Sequence, residues 1–127
     1  MSRQILIVDD EEDVRAIAQL GLEMGAGWNV LTADSGQEAL SMAIAHQPDA
    51  ILLDMMMPDM DGLTTFQKLQ ANSATRHIPV ILLTAKVQAA DRLRYAELGM
   101  IAAIAKPFNP LQLADQIAAA LGWSLEK

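Results

Sequence analysis

The sequence predicts an α/β fold: a doubly wound (βα)5 three-layer sandwich around one parallel five-stranded sheet. Three observations predict it. Short apolar runs recur at residues 5–8, 50–53, 80–83 and 101–105, and each stops abruptly at a polar residue or a turn signal. Stretches with apolar residues at helical spacing separate them. The runs are nearly continuous rather than alternating, which suits strands covered by helices on both faces. Right-handed crossovers then give the strand order 2-1-3-4-5, with the switch point between the first and third strands.

Taken in order, the first strand at residues 5–8 runs into Asp9 and Asp10. Residues 11–25 follow, with Val14, Ile17, Ala18 and Leu22 at helical spacing. Glu11, Glu12 and Asp13 suit the positive end of the helix dipole, and Gly25 and Gly27 are stop signals. Residues 28–33 make a short mixed strand, expected at the sheet edge. Ser35 with Glu38 three positions on forms a capping box. The helix it opens carries Ala39, Leu40, Ala43 and Ile44, and Pro48 closes it. The strand at 50–53 ends at Asp54. Gly62 leads into a helix with Leu63, Phe66 and Leu69 inward. Pro79 introduces the strand at 80–83, which ends at Thr84. A helix at 89–98 stops at Gly99. The weaker fifth strand, 101–105, runs into Lys106 and Pro107. Pro110 sits near the start of the last helix, where its fixed φ is tolerated. Leu111, Ala114, Ile117, Ala118 and Leu121 line one face of that helix, and Gly122 ends it.

The 127 residues suit one domain, 1–127, and 52% are hydrophobic, far from a disordered composition. A net charge of −7 argues against direct nucleic-acid binding, which needs a basic surface. Cysteine is absent, which removes disulfides and thiolate metal sites. No apolar run has the length of a secretory signal or a membrane span, so no membrane insertion and a cytoplasmic setting are expected. The tail at 123–127 is too short for an output module; Met1 and this tail suggest a complete small protein, with a piece of a larger one as the alternative.

Parallel strands put their C-terminal ends on one edge. Asp9, Asp10, Asp54, Thr84 and Lys106 are therefore expected to converge there. Three close carboxylates repel, so either their pKa values rise or a cation sits among them. Hard oxygen donors select Mg²⁺ or Mn²⁺ over Zn²⁺. His46 and His77 fall at the opposite edge of the sheet. Lys106 adds a cation for a phosphoryl oxygen, and Thr84 adds a hydroxyl. Nucleophile, metal and cation are the parts of a phosphoryl-transfer site, with Asp54 the best nucleophile. Taken singly, each feature has an ordinary reading: an Asp after a strand is usually a turn former or cap. The convergence of four strand ends outweighs it. The run Met55, Met56, Met57 reads as flexible packing rather than a soft metal site. Asp59 and Asp61-Gly62 resemble part of a calcium loop, but Lys68 stands where its Glu belongs. No GxGxxG or Walker A motif is present.

The sequence resembles the receiver domain of two-component response regulators over nearly its whole length. The matching elements are Ile-Leu-Ile-Val-Asp9-Asp10-Glu, Leu-Leu-Asp54-Met-Met-Met-Pro58-Asp-Met-Asp61-Gly62, Leu-Leu-Thr84-Ala85 and Ile-Ala-Lys106-Pro107-Phe108. The resemblance implies a flavodoxin-like, CheY-like fold. It implies a stand-alone phosphoacceptor signalling domain rather than an enzyme with a substrate. Asp54 would accept a phosphoryl group from a histidine kinase or histidine phosphotransfer protein. Asp10, Asp54 and the Met56 backbone carbonyl would hold Mg²⁺, with Asp9 in support. Thr84 and Lys106 would contact the phosphoryl group and couple it to a downstream protein partner. The face made by the fourth helix, fifth strand and fifth helix is a candidate homodimer surface. The Lys106–Pro107 bond is expected to be cis.

Two positions depart from the family or vary within it. Ala103 stands where receivers usually carry Tyr or Phe, three residues before the lysine, so an altered or weaker readout is expected at this face, around Ala103, Tyr95 and Leu111. Met56 and Lys86 lie two residues beyond Asp54 and Thr84, where the family tunes loss of the phosphoryl group. Two other functions compete. A Mg²⁺-dependent phosphatase of the haloacid-dehalogenase type needs an Asp where this chain has Met56. A purely structural interaction domain would leave the acidic cluster without a role.

Overall fold

Burial of both sheet faces dictates the architecture. The structure, a computed structural model, describes residues 3–124. Five strands and five helices alternate: β1 (Gln4–Val8), α1 (Glu12–Ala26), β2 (Asn29–Ala33), α2 (Gly36–His46), β3 (Ala50–Asp54), α3 (Gly62–Ala71), β4 (Val80–Thr84), α4 (Ala89–Leu98), β5 (Ala102–Ala105) and α5 (Leu113–Leu121). All strand pairs are parallel and the order is β2-β1-β3-β4-β5. The fold class and the edge position of β2 are as the sequence predicts. Residues 1, 2 and 125–127 of the expected domain, including most of the tail read at 123–127, lie outside the described residues.

Successive strand side chains point to opposite faces, so each strand feeds two separate cores. Leu6, Val8, Ile51, Leu53, Val80 and Leu82 pack with Ala39, Ala43, Phe66, Leu69 and Tyr95 of α2, α3 and α4. Ile5, Ile7, Leu52, Ile81, Leu83 and Ile104 pack with Ala18, Leu22, Leu113, Ile117 and Ala118 of α1 and α5. The register sets Val8 beside Leu53, Asp54 beside Leu83 and Thr84 beside Ala105. The strand ends therefore gather at one edge, stepped by one residue from β1 to β3 and from β3 to β4.

Several local expectations change. Gly25 stays inside α1, because Gly27 supplies the left-handed cap, at φ 67°, and its N–H donates to Glu23 O. Ile17 and Ile44, part of the apolar patterns of these helices, are exposed; Ala18 and Leu22, then Ala39 and Ala43, carry the burial. Ser35 Oγ accepts from the Glu38 N–H at 3.1 Å, but Glu38 Oε1 accepts from Asp34 N–H, one residue before the cap. The residue opening α3 is Asp61, whose Oδ1 accepts from Thr64 N–H at 2.7 Å. Leu63 on that helix is only partly buried. Ile101 lies outside β5 and is exposed. The last helix starts at Leu113, not beside Pro110. Asn109 organises residues 110–112 as a turn, accepting from Leu111 N–H through its side chain and from Gln112 N–H through its carbonyl. Leu111 is consequently 87% exposed, while Leu113 is fully buried. The Lys106–Pro107 peptide is cis. His46 is the last residue of α2, and His77 precedes β4, beside the N-terminal strand ends.

At that far edge, Trp28 and Trp123 meet edge to face, with centroids 5.4 Å apart at 89°, and the Arg3 guanidinium lies 4.2 Å from the Trp123 ring centre. Edge-to-face pairs and cation–π contacts add to simple burial. Trp123→Ala should cost about 1–3 kcal/mol, and Arg3→Gln well under half of that, in urea denaturation.

Candidate functional site

Polar residues placed immediately after buried strands have no room to turn away. Asp9 follows β1 and is fully buried; Asp54 ends β3 and is 1% exposed. Burying a carboxylate requires compensation. Asp9 Oδ1 accepts from the Glu11 N–H at 2.9 Å, and its Oδ2 accepts from Lys106 Nζ at 3.0 Å. Asp54 Oδ1 accepts from Lys106 Nζ at 3.2 Å and from Met56 N–H at 3.4 Å. Asp54 Oδ2 is buried with no partner. Lys106 reaches both carboxylates from the end of β5, where its N–H donates to Thr84 O at 2.9 Å. The edge is shaped from behind by Gly62. Its N–H donates to Met55 O at 2.8 Å, and a methyl at this position would run into the Asp54 carbonyl oxygen.

Carboxylate oxygens of Asp9, Asp10 and Asp54 lie within 4.8 Å of one another, with Asp10 exposed to solvent. Three carboxylates and one ammonium leave two negative charges, the complement of a divalent cation. The all-oxygen donor set and its two uncompensated charges fit a hard cation such as Mg²⁺. The electrostatics agree. Burial, reinforced by the charge of Asp9, pushes the Asp54 carboxyl up to about 6 against the opposing pull of Lys106. Burial pulls the Lys106 ammonium down, but its bonds to Asp9 and the charges of Asp9 and Asp54 outweigh that and hold it above its ordinary value.

Thr84 ends β4 and is buried. Its hydroxyl donates to Met55 Sδ at 3.3 Å and accepts from the Lys86 N–H at 3.1 Å. Asp9, Asp10, Asp54 and Lys106 are therefore in one cluster, and Thr84 stands at the end of the strand next to Asp54. Met56, two residues beyond Asp54, is 76% exposed, and Lys86 is exposed. Sequence reasoning missed three participants. Glu11 Oε1 lies 3.6 Å from Lys106 Nζ, and Arg15 donates to Asp9 O at 2.8 Å. Met55, read only as packing, is the acceptor for Thr84. The spacing of Glu11 and Arg15, one helical turn apart beside the acid pair, was the available signal for the first two.

The sequence profile of the family described as "Response regulator receiver domain" matches residues 5–118. Among curated relatives, the chain is 37% identical over 121 residues to the alkaline phosphatase synthesis transcriptional regulatory protein PhoP of Bacillus subtilis, covering 95% of this chain and 49% of that one. It is 45% identical over 115 residues to the response regulator PleD of Caulobacter vibrioides, covering 89% and 25%. The chain thus spans about half or less of the length of these relatives. Among solved structures, the chemotaxis response regulator CheY4 of Vibrio cholerae superposes with a TM-score of 0.86 at 28% identity, covering 94% of this chain and 99% of that one.

The raised Asp54 value makes a stability prediction. The folded carboxyl titrates at about 6 and the unfolded one near 3.8, so the protonated form favours the fold. That contribution is complete below about pH 4 and is lost as pH rises through 6. In chelator, Asp54→Asn should therefore gain up to about 3 kcal/mol over wild type at pH 7 and nothing near pH 4, read by urea titration at both pH values.

Proposed function

This chain belongs to the response regulator receiver domain family, and we propose that it accepts a phosphoryl group on Asp54 from a phosphohistidine of a histidine kinase or histidine phosphotransfer protein. The observation that carries this reading is the buried Asp54 Oδ2 with no partner. One oxygen of the carboxylate is fixed by Lys106 and the Met56 N–H, and the other is left to react. Above about pH 6 that carboxylate is ionised and can attack. Asp54 Oδ2 forms a bond to the donor phosphorus, the phosphorus–nitrogen bond breaks, and the imidazole leaves with its electron pair. Lys106 balances charge on the phosphoryl oxygens, and Thr84 supplies a hydroxyl donor. Asp10, Asp54 and the Met56 carbonyl, with Asp9 behind them, are the residues that would hold Mg²⁺, which when bound neutralises the phosphoryl charge. Water later attacks the acyl phosphate and restores Asp54.

The signal passes to a downstream protein partner rather than to nucleic acid, consistent with the net charge of −7. Exposed Leu93 on α4 and Leu111 ahead of α5 are in keeping with a protein contact, a homodimer included, on the face of α4, β5 and α5. Among the described residues no helix is long and apolar enough to cross a membrane, in keeping with a cytoplasmic setting.

Intact mass after mixing with Mg²⁺ and a small phosphodonor should show one added phosphoryl group, absent in Asp54→Asn; addition to the mutant would move the acceptor elsewhere. A further part of this reading is that exposed Lys86, two residues beyond Thr84, restricts attacking water. Lys86→Ala should change the dephosphorylation rate about 2- to 10-fold while leaving Mg²⁺ affinity nearly intact, and equal decay of the two phosphoproteins would refute that role.

A further inference from the structure

A groove between α3 and α4 takes no part in the phosphoryl site. Its floor is Phe66, 3% exposed. Leu63, Gln67 and Gln70 form the α3 wall, and Arg94 and Leu98 form the α4 wall. Helical spacing builds both walls. Residues 63, 67 and 70 fall four and three apart and share one face of α3; residues 94 and 98 share one face of α4. Arg92 marks the other flank of α4, since it donates to Ala103 O of β5 at 2.8 Å. The groove is therefore separate from the face of α4, β5 and α5.

This flank of α4 is left open. Tyr95 is the one buried residue of the helix, and Leu98 is 43% exposed. The cavity measures about 230 Å³, less than the roughly 300–1,000 Å³ of a small-molecule site. It runs along two turns of α3, about 10 Å, which suits side chains from a helix laid in it. The polar groups on its walls are uncommitted. Gln67, Gln70 and Arg94 make no hydrogen bond or ion pair among the described residues. Asp91, one turn before Arg94, is taken up by the Gln88 N–H at 3.3 Å. A guanidinium has five donors and no acceptor, so Arg94 calls for an anion beside an apolar floor. The chain around it favours the same sign. Residues 1–61 hold twelve of the sixteen acids but two of the nine Lys and Arg. The half that builds the groove is thus net positive in a chain of −7.

We propose that the α3–α4 groove docks an acidic amphipathic helix of a partner protein. Its apolar side chains lie on Phe66 between Leu63 and Leu98, and a carboxylate beside them pairs with Arg94. Gln67 and Gln70 bond to its polar flank. This is a second contact surface, on the flank of α4 away from β5, and it does not depend on the phosphoacceptor reading of Asp54.

Two synthetic peptides of about 14 residues test it on the full chain, at about 0.15 M salt to screen the distant acidic half. In one, leucines four positions apart are flanked by Glu; in its twin, every flanking Glu is Lys. The Glu peptide should shift the backbone amide resonances of residues 63–70 and 94–98, and the Lys twin should bind about 10-fold more weakly. Arg94→Glu, an exposed substitution outside the phosphoryl site, should reverse that preference. Leu98→Ala should weaken the Glu peptide about 3- to 10-fold. Equal binding of the twins, or a preference unchanged by Arg94→Glu, means plain apolar adhesion and overturns the proposal. Shifts confined to other elements overturn it, as does binding by neither peptide. Shifts of the same amides with protein concentration alone assign the groove to a second copy and overturn the partner reading as well.

Discussion

One ammonium makes the carboxylate edge possible. Lys106 stands 3.0 Å from Asp9 and 3.2 Å from Asp54, two acids that the strands bury almost completely. Without it, the sheet would end in uncompensated negative charge. With it, the charge is reduced but not cancelled, and one oxygen of Asp54 is still unpaired. The site is left short of positive charge by an amount a divalent cation supplies. The proposed nucleophile and the proposed cation site therefore share one electrostatic cause.

The sheet delivers these groups through its register. Parallel pairing sets Val8 beside Leu53, Asp54 beside Leu83 and Thr84 beside Ala105, a one-residue step at each strand, so the residues at and just beyond these ends meet with no long loop to order. β5 contributes few large side chains to the core, and the residue just beyond it supplies the cation. Its small residues, Ala102, Ala103 and Ala105, surround a single large one, Ile104. Its end places Lys106 by a backbone bond to Thr84 O. Gly62 closes the arrangement by letting the β3–α3 loop lie against the backbone of Asp54 without a side chain between them.

Much of this was legible in the residues because parallel strands are buried on both faces. That burial writes them as apolar runs, and the polar residue ending each run falls at the shared edge. Asp9, Asp10, Asp54 and Lys106 were found for that reason. Helix phase was less legible. Leu111 and Leu113 are both plausible core leucines, and only the turn set by Asn109 decides between them. Ile17 and Ala18 compete in the same way on α1, and the smaller residue is buried. The Asp61 cap carried a readable signal, an Asp ahead of a helix, that the adjacent Gly62 obscured. The Met55 contacts had none. They join residues 29 and 40 positions apart, through a sulfur that periodicity assigns to packing.

The split of the core into two layers has a consequence for how the molecule can vary. Trp28, Leu113 and Ile117 pack on one side of the sheet, and Phe66, Leu69 and Tyr95 on the other. Alternation along each strand gives the two sides different side chains to lean on. Distant changes that share no partner combine independently. The helices on one side can therefore drift in sequence, and so in the surface they offer, while the opposite packing stays unaltered. Both sides retain the same carboxylate edge, so one chemistry can serve diverging sets of contacts.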